Sequence, residues 1–334
     1  MQDPLIDELD LRLIHALQTR ARIPWTTLAG ILRVDAATLM RRWRRLVDHG
    51  YVYVTALIPL PASKLALAFV EIACQPVHAV ALAEELAKDH GVVSIDLTAS
   101  GRTMLVTLIG HDLDAISNWT MTLGLDPRVV ALQTHHVSEL VTDASLWRPK
   151  ALSQTEELAV RAWPPRNTAT TNLALPELVT LLELLSQDIR APIAALAEGS
   201  GLSRRRVSES LNAMTASGEL VVRIDVARRL TPFPVFAYYF LKGQPSTLGQ
   251  VATQLSRIPE IRMAARTVGR ASLITSFWLR SLTDLQRLEE ALDNRFRDLA
   301  LADRTLVTRT VKHIGHLLDA EGLATAGRLR VLPV

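Results

Sequence analysis

The apolar positions of this chain follow a helical rhythm first. From Ile6 to Leu17, the residues Leu9, Leu13, Ile14 and Leu17 recur at helical spacing, and Asp7, Glu8 and Asp10 occupy a first turn where the helix dipole favours acids. Pro24 suits a first helical position and opens a second short helix marked by Leu28, Ala29 and Leu32. After the turn Arg33–Val34–Asp35, the stretch from Ala36 to Tyr51 predicts a third helix with Asp35 as N-cap and Gly50 as left-handed terminator. Leu39, Trp43, Leu46 and Val47 make its apolar side, while Arg41, Arg42, Arg44 and Arg45 make the other. Three helices with a short turn before the last form the helix-turn-helix pattern, whose last helix enters the major groove of DNA. Tyr51 to Ile58 then alternates like a wing strand, bounded by Pro59 and Pro61.

Beyond the prolines the period changes. Leu65–Ile72, Val92–Thr98, Met104–Ile109 and Val129–Val141 read as strands, and Val77–His90 and Leu113–Leu123 as helices. The order βαββαβ describes a ferredoxin-like, ACT-like sandwich with both helices on one sheet face, so the other face requires a cover.

A second copy supplies one. An offset of 168 carries Leu13 onto Leu181, Leu17 onto Leu185, Arg22 onto Arg190, Pro24 onto Pro192, Leu28 onto Leu196 and Gly50 onto Gly218. The same offset carries Gly101 onto Gly269, Arg102 onto Arg270 and Leu105 onto Leu273, so the chain reads as a tandem duplication with one unbroken register. The expected fold is therefore α+β, with two winged helix-turn-helix domains and two βαββαβ domains in tandem. Boundaries are expected at 1–58 and 59–148 for the first copy, 149–172 for a linker, 173–228 and 229–320 for the second copy, and 321–334 for a tail. Leu152–Trp163 reads as a short linker helix and Pro164 to Thr171 as extended chain.

Length and composition add bounds. The 334 residues, 49% hydrophobic, suffice for several cores, and the net charge of +3 conceals a local excess: seven arginines stand against one acid, Asp35, between Arg20 and Arg45. Such clustering is the footprint of a polyanion partner. The single cysteine, Cys74, excludes an internal disulfide and any cysteine cluster within one chain. The acidic start MQDPLIDELD lacks the form of a signal peptide, and no apolar run reaches the roughly 20 residues of a bilayer span, so a cytoplasmic address without membrane association is the expectation.

The segments Ile6-Asp-Glu-Leu-Asp-Leu-Arg-Leu-Ile-His-Ala-Leu, Arg22, Leu28-Ala29 and Arg42-Trp-Arg-Arg-Leu…Gly50-Tyr-Val resemble the helix-turn-helix of the Lrp/AsnC (leucine-responsive/asparagine-operon) transcription regulators. Leu178-Val-Thr-Leu-Leu-Glu-Leu-Leu, Arg190, Leu196-Ala197 and Gly201-Leu-Ser repeat the likeness, and the βαββαβ modules are similar to that family's effector and dimerisation domain. The resemblance implies a double-stranded DNA partner, a homodimer or higher homo-oligomer, and a small-molecule effector such as an amino acid at the interface of the βαββαβ domains. It departs in two places. The family's turn glycine is Gly201 in the second copy but Arg33 in the first, which predicts a different turn there. Its acidic residue in the effector turn corresponds to Met104 and Ser272, which removes the carboxylate an amino acid's ammonium group would need.

Within this frame Thr38, Arg41 and Arg42 are expected to face the groove, where guanidinium pairs with guanine edges, and Arg44 and Arg45 to grip phosphates. Arg204, Arg205 and Arg206, after the N-cap Ser203, form a different, N-terminal cluster on the second reader helix, so the two helices should touch DNA unequally. The turns Gly101–Arg102–Thr103 and Gly269–Arg270 with Ser272 are either plain hairpin turns or the lips of an effector pocket. His135–His136 and His313-x-x-His316 lack a third spaced ligand, so neither a metal nor a cofactor is expected. No G-x-S-x-G, Walker or G-x-G-x-x-G segment occurs, and the expectation is a regulator, not an enzyme. Two alternatives remain open: a ligand sensor without DNA binding, and a siroheme decarboxylase-like enzyme on the same fold, although Val93-Ser-Ile-Asp-Leu-Thr stands where such enzymes carry a His-Asn-Tyr type segment.

Overall fold

A computed structural model describes residues 6–57, 65–99, 101–163, 173–255 and 257–331. In chain order the elements are α1 Glu8–Thr19, α2 Trp25–Leu32, α3 Ala36–Asp48, β1 Val52–Leu57, β2 Ala66–Cys74, α4 Ala79–Leu86, β3 Val92–Thr98, β4 Met104–Gly110, α5 Leu113–Leu123 and β5 Val129–Thr142. There follow α6 Gln154–Arg161, α7 Leu175–Gln187, α8 Ile193–Ser200, α9 Arg204–Ser217, β6 Val221–Val226, β7 Val235–Gly243, α10 Pro245–Leu255, β8 Ile261–Val268, β9 Leu273–Leu279, α11 Thr283–Arg295 and β10 Leu299–His313. A hairpin of β11 His316–Leu318 and β12 Ala324–Arg328 closes the described chain and structures part of the segment expected to be a tail. The extended linker after Trp163 and the paired prolines after β1 lie outside the described residues. Among the described residues no helix is long and apolar enough to cross a membrane.

The chain gathers into two compact units, each drawing on both copies: Met1–Ser63 with Arg148–Val226, and Lys64–Trp147 with Ala227–Val334. In the first unit the two helix-turn-helix copies exchange contacts reciprocally. The Arg22 guanidinium donates to the carbonyls of Ile189 and Ala191, and that of Arg190 donates to the carbonyls of Ala21 and Ile23 at 2.8 and 2.7 Å. Gln18 Nε2 donates to Ile224 O at 2.8 Å, and its counterpart Ser186 contacts Ala56, the counterpart of Ile224. Strands β1 and β6 pair antiparallel with Thr55 opposite Arg223, 168 residues further on, so a local two-fold passes through that pair. Each wing strand thereby packs on the other copy's first helix.

Each helix begins as its sequence dictates. Asp7 caps α1 through a reciprocal capping box with Asp10, Asp35 caps α3 through the Thr38 N–H, and Ser203 caps α9 through the Arg206 N–H. The turn before α3 does not differ in kind from its counterpart. Arg33 takes φ 56°, in the same left-handed region as Gly201 at φ 71°, so the arginine accepts a conformation that a Cβ disfavours.

In the second unit the strand order β10-β3-β4-β2-β5-β8-β9-β7 returns to β10, because β10 pairs with both β3 and β7. Strand β5 bridges in the same way between β2 and β8. The two ferredoxin-like sheets are thus joined at both edges by their long last strands. Helices α4 and α5 cover a core built on Val70, Ile72, Ile95 and Val106, and α10 and α11 one built on Tyr239, Leu273 and Phe277. The inner sheet faces meet through Phe69, Leu105, Tyr238, Phe240, Ala265 and Ile274, which supply the cover that each sheet lacked alone.

His15 on α1 is buried, and its Nδ1 accepts the Leu152 N–H at 3.1 Å, tying α1 to the segment before α6. Burial pushes its pKa down to about 4. The folded state therefore refuses a proton that the unfolded chain accepts near pH 6.5, so stability is full above pH 6.5 and is lost as pH falls towards 4. Urea unfolding of the first unit is expected to lose about 2 kcal/mol between pH 7 and pH 5 from this group, a loss that His15→Phe removes. An equal pH dependence in both proteins would refute it.

Candidate nucleic-acid interface and ligand cavity

Helix α3 presents Leu39, Trp43 and Leu46 to the core of the first unit. Its outward stripe is Ala37, Met40, Arg41 and Arg44, all exposed and spaced at i, i+3, i+4 and i+7. Thr38 is half-buried, and its hydroxyl accepts from Arg41 at 3.5 Å. Two arginines expected at DNA are placed otherwise. Arg42 Nη1 binds Asp7 Oδ2 at 2.6 Å and Asp10 Oδ1 at 3.0 Å, and Arg45 binds the other Asp10 oxygen. Asp10 is 0% exposed. A buried carboxylate is costly without compensation, so these guanidiniums hold α3 onto α1 rather than standing free for a partner. Burial raises the Asp7 carboxyl, but Arg42 and the hydrogen bonds with Asp10 together outweigh that and leave it below its usual range.

Helix α9 is unlike α3 on its outer face. Arg205 pairs with Glu209 at 2.8 Å, Arg206 pairs with Glu177 at 2.8 Å, and Arg204 makes no ion pair among the described residues. Glu209 stands 168 residues after Arg41, and Asn212 after Arg44. The outward stripe of the second helix therefore carries an acid and an amide where the first carries two arginines.

The second unit holds a cavity of about 420 Å³. Gly101, Arg102 and Arg270 line it, whereas Thr103, Gly269 and Ser272 do not. The Thr103 hydroxyl exchanges hydrogen bonds with the Cys74 backbone at 2.8 and 3.0 Å, the Ser272 N–H donates to Leu241 O, and Gly269 lies against the His135 ring, where a Cβ would sit 2.7 Å from Nδ1.

The repeat register explains the difference. Thr98 donates from its N–H to Thr103 O and from its hydroxyl to Arg102 O, while Thr267 donates to Ser272 O and Ala271 O in the same way. The counterpart of Arg102 is thus Ala271, and that of Gly101 is Arg270. The offset of 168 holds in the first unit but becomes 169 here, one extra residue having entered between β6 and β7, so the single register does not extend across both modules. Counterparts line the cavity together: Glu71 with Phe240, Ala73 with Lys242, Gly101 with Arg270, Arg102 with Ala271, and, one residue further on because β10 slips between Leu301 and Asp303, Gln133 with Asp303. The cavity therefore lies on the local two-fold of this unit, and its two halves are chemically unlike.

Within it, Arg102 pairs with Glu71 of its own module and with Asp303 of the other, and its guanidinium stacks 4.2 Å from the Phe240 ring centroid. The buried His135 contacts Glu71 Oε1 through Nε2 at 2.6 Å, and Gln133 Nε2 lies 2.9 Å from the same ring nitrogen. Glu71, Gln133, His135, Phe240, Lys242 and Asp303 were not among the expected ligand residues, since they come from strands far apart in sequence. Among the described residues no group of three or more His, Cys, Asp or Glu is arranged to hold a metal ion.

Comparison with known proteins agrees with this architecture. Residues 6–47 match the AsnC-type helix-turn-helix domain. The chain is similar to an HTH-type transcriptional regulator of Pyrococcus horikoshii, PH0140, at 22% identity over 118 residues, covering 35% of this chain and 75% of that protein. Its fold over almost the whole length is that of the siroheme decarboxylase NirDL, solved alone and in co-complex with an iron-uroporphyrin III analogue: TM-score 0.57, 14% identity, 92% of this chain and 93% of that one. Escherichia coli AsnC aligns over 41% of this chain and 94% of its own, at 20% identity and TM-score 0.37.

The placement of Arg42 generates a test. Urea unfolding of Asp10→Asn, Arg42→Ala and the double variant is expected to give a coupling energy of about 1–3 kcal/mol. Additive single effects would show that the ion pair carries no stability.

Proposed function

We propose that this chain is a sequence-specific DNA-binding transcription regulator of the Lrp/AsnC type, modulated by a small molecule held between its βαββαβ modules, and not an enzyme. The observation that carries the reading is the outward stripe of α3. On an AsnC-type reader, Arg41 and Arg44 stand exposed beside Met40 and Ala37, on a helix whose remaining arginines fix its seat. Arg41 reads base edges and Arg44 grips phosphate, while Thr38 supports Arg41 from within the helix. The α9 cluster plays a lesser part, because Glu209 neutralises Arg205 and repels phosphates, leaving Arg204 as its main contact. With one strongly basic reader per chain, a two-fold operator calls for a pair of chains, consistent with a homodimer. A ligand that binds one arrangement of the modules better than another would shift DNA affinity.

DNA selected from a random pool provides the substrate for the test. Arg41→Ala with Arg44→Ala is expected to weaken binding at least about 100-fold and to lower the salt slope by about 2, while Arg204→Ala with Asn212→Ala changes it much less. Equal losses from the two pairs would overturn the one-reader reading, and no selected sequence at all would leave a ligand sensor without DNA binding.

A second reading rests on the fold shared with NirDL, whose crystals hold a tetrapyrrole analogue. Arg102, Lys242 and Arg270 could hold the carboxylates of such a substrate in the cavity on the local two-fold. Titration with siroheme, giving a stoichiometric Soret shift followed by loss of carboxylate, would establish it in place of the first.

A further inference from the structure

The cavity between the βαββαβ modules carries an uncompensated positive charge. Its lining holds three permanent cations, Arg102, Lys242 and Arg270, against two carboxylates, Glu71 and Asp303. Both carboxylates are already engaged by Arg102, and Glu71 also binds His135. Lys242 and Arg270 make no ion pair among the described residues, and the Gln133 contact of Arg270, at 3.5 Å, is at the limit of a hydrogen bond. Arg102, whose side chain is only 11% exposed, leaves Nη1 buried without a hydrogen-bond partner. A guanidinium nitrogen in that state is expensive, and a charge-assisted bond from a carboxylate is the strongest way to satisfy it.

We infer that this cavity binds one small carboxylate anion per chain, gripped by Lys242 and Arg270, with Arg102 exchanging Asp303 for the ligand. The inference rests on the reading of the modules as ligand-responsive and names the ligand class that the site takes. Stoichiometry follows from the two-fold. Arg102 has Ala271 as its counterpart, Lys242 has Ala73 and Glu71 has Phe240, so only one orientation of an anion is satisfied and the lining holds no second copy of the site among the described residues. Size points the same way, since about 420 Å³ lies towards the lower end of the roughly 300–1,000 Å³ of small-molecule sites, suited to a short metabolite more than to a macrocycle. A cationic ligand finds no unengaged carboxylate in the lining.

Asp303 is the exchangeable partner. Its side chain is 52% exposed, and it sits where the pairing of β10 with β7 slips by one residue. The same strand goes on to pair with β3 of the other module. A ligand carboxylate that takes over Arg102 releases this bulge, and occupancy is thereby passed to the strand that joins the two sheets.

The test is isothermal titration calorimetry of the full chain with acetate, succinate, glutarate and, as cationic control, putrescine, with DNA binding of the same samples read by fluorescence anisotropy. At least one carboxylate is expected to bind once per chain with Kd below about 1 mM. Lys242→Ala with Arg270→Ala, both exposed and outside the ion pairs of the described residues, should keep the melting temperature and weaken binding at least about tenfold, and Asp303→Asn should tighten it. Absence of carboxylate binding, preference for putrescine, two sites per chain, or indifference to both sets of substitutions would each overturn the anion site. So would tight siroheme binding that succinate cannot compete with. DNA binding without carboxylate binding removes this inference and leaves the regulator standing, whereas carboxylate binding without DNA binding does the reverse.

Discussion

Arg22 and Arg190 each lay a guanidinium across the repeat boundary onto two carbonyls of the other copy's turn. Neither has a carboxylate as direct partner in these bonds. Burial lowers both pKa values, that of Arg190 to about 10 with Arg22 adding to the effect, so both stay charged at neutral pH and depend on those carbonyls for compensation. Each arginine is satisfied by the other copy, Arg190 also stacking 4.0 Å from the Trp25 ring centroid. The same dependence recurs in the wing strands, which among the described residues pair with each other alone, and in β5 and β10, which each complete the other module's sheet. Two copies are therefore the minimum that makes these exchanges, which are arranged about the local two-folds the duplication creates.

Divergence has been permitted where it leaves these exchanges intact. In the first helix-turn-helix the seat of the third helix on the first is ionic, with Asp10 holding Arg42 and Arg45. With Asp7, which also pairs with Arg42, the cluster has four members, and the corresponding positions of the second helix-turn-helix are Leu175, Leu178, Ser210 and Ala213, all uncharged. Replacing a buried ionic set as a whole avoids the stranded charge that a single change would leave. The positions of Arg41 and Arg44, which stand outside the seat, carry Glu209 and Asn212 in the second copy, where Glu209 pairs with Arg205 at the position of Ala37. This separates the four arginines of one short helix into two that build the domain and two that are free to meet a partner.

Much of the fold was legible from periodicity alone. The strand Val92–Thr98 and the helix Leu113–Leu123 have the limits that their apolar spacing dictates, and the order βαββαβ followed from them. The seat of Arg42 and Arg45 was not legible from one copy, because a charged helix face looks the same whether its partner is solvent, DNA or a buried aspartate far away in sequence. The concerted loss of Asp10, Arg42 and Arg45 in the second copy was the available signal. The cavity was partly legible: glycine turns drew attention to Arg102 and Arg270, but a one-residue change of register hid that these are not counterparts, and Glu71, His135 and Asp303 meet only through strand pairing between distant segments. Arg33 shows the limit of conformational inference, since the fold around the turn imposes φ 56° on a residue that would not choose it.

A cavity on a two-fold axis poses a problem that covalent fusion solves. In a dimer of identical chains, any charged residue reaching the axis meets its own copy, and two carboxylates or two guanidiniums at that distance repel. Here Glu71 has Phe240 as its counterpart in the lining, Arg102 has Ala271 and stacks on the same Phe240 ring, and Gln133 has Asp303. Opposite charges can then be assigned to opposite halves, and a net charge of one sign can be concentrated in the centre of an interface that a symmetric dimer would have to keep neutral or apolar. The same freedom separates α3 from α9 on their outer faces. Duplication within one chain thus retains the architecture of a symmetric pair while removing the rule that both halves carry the same chemistry.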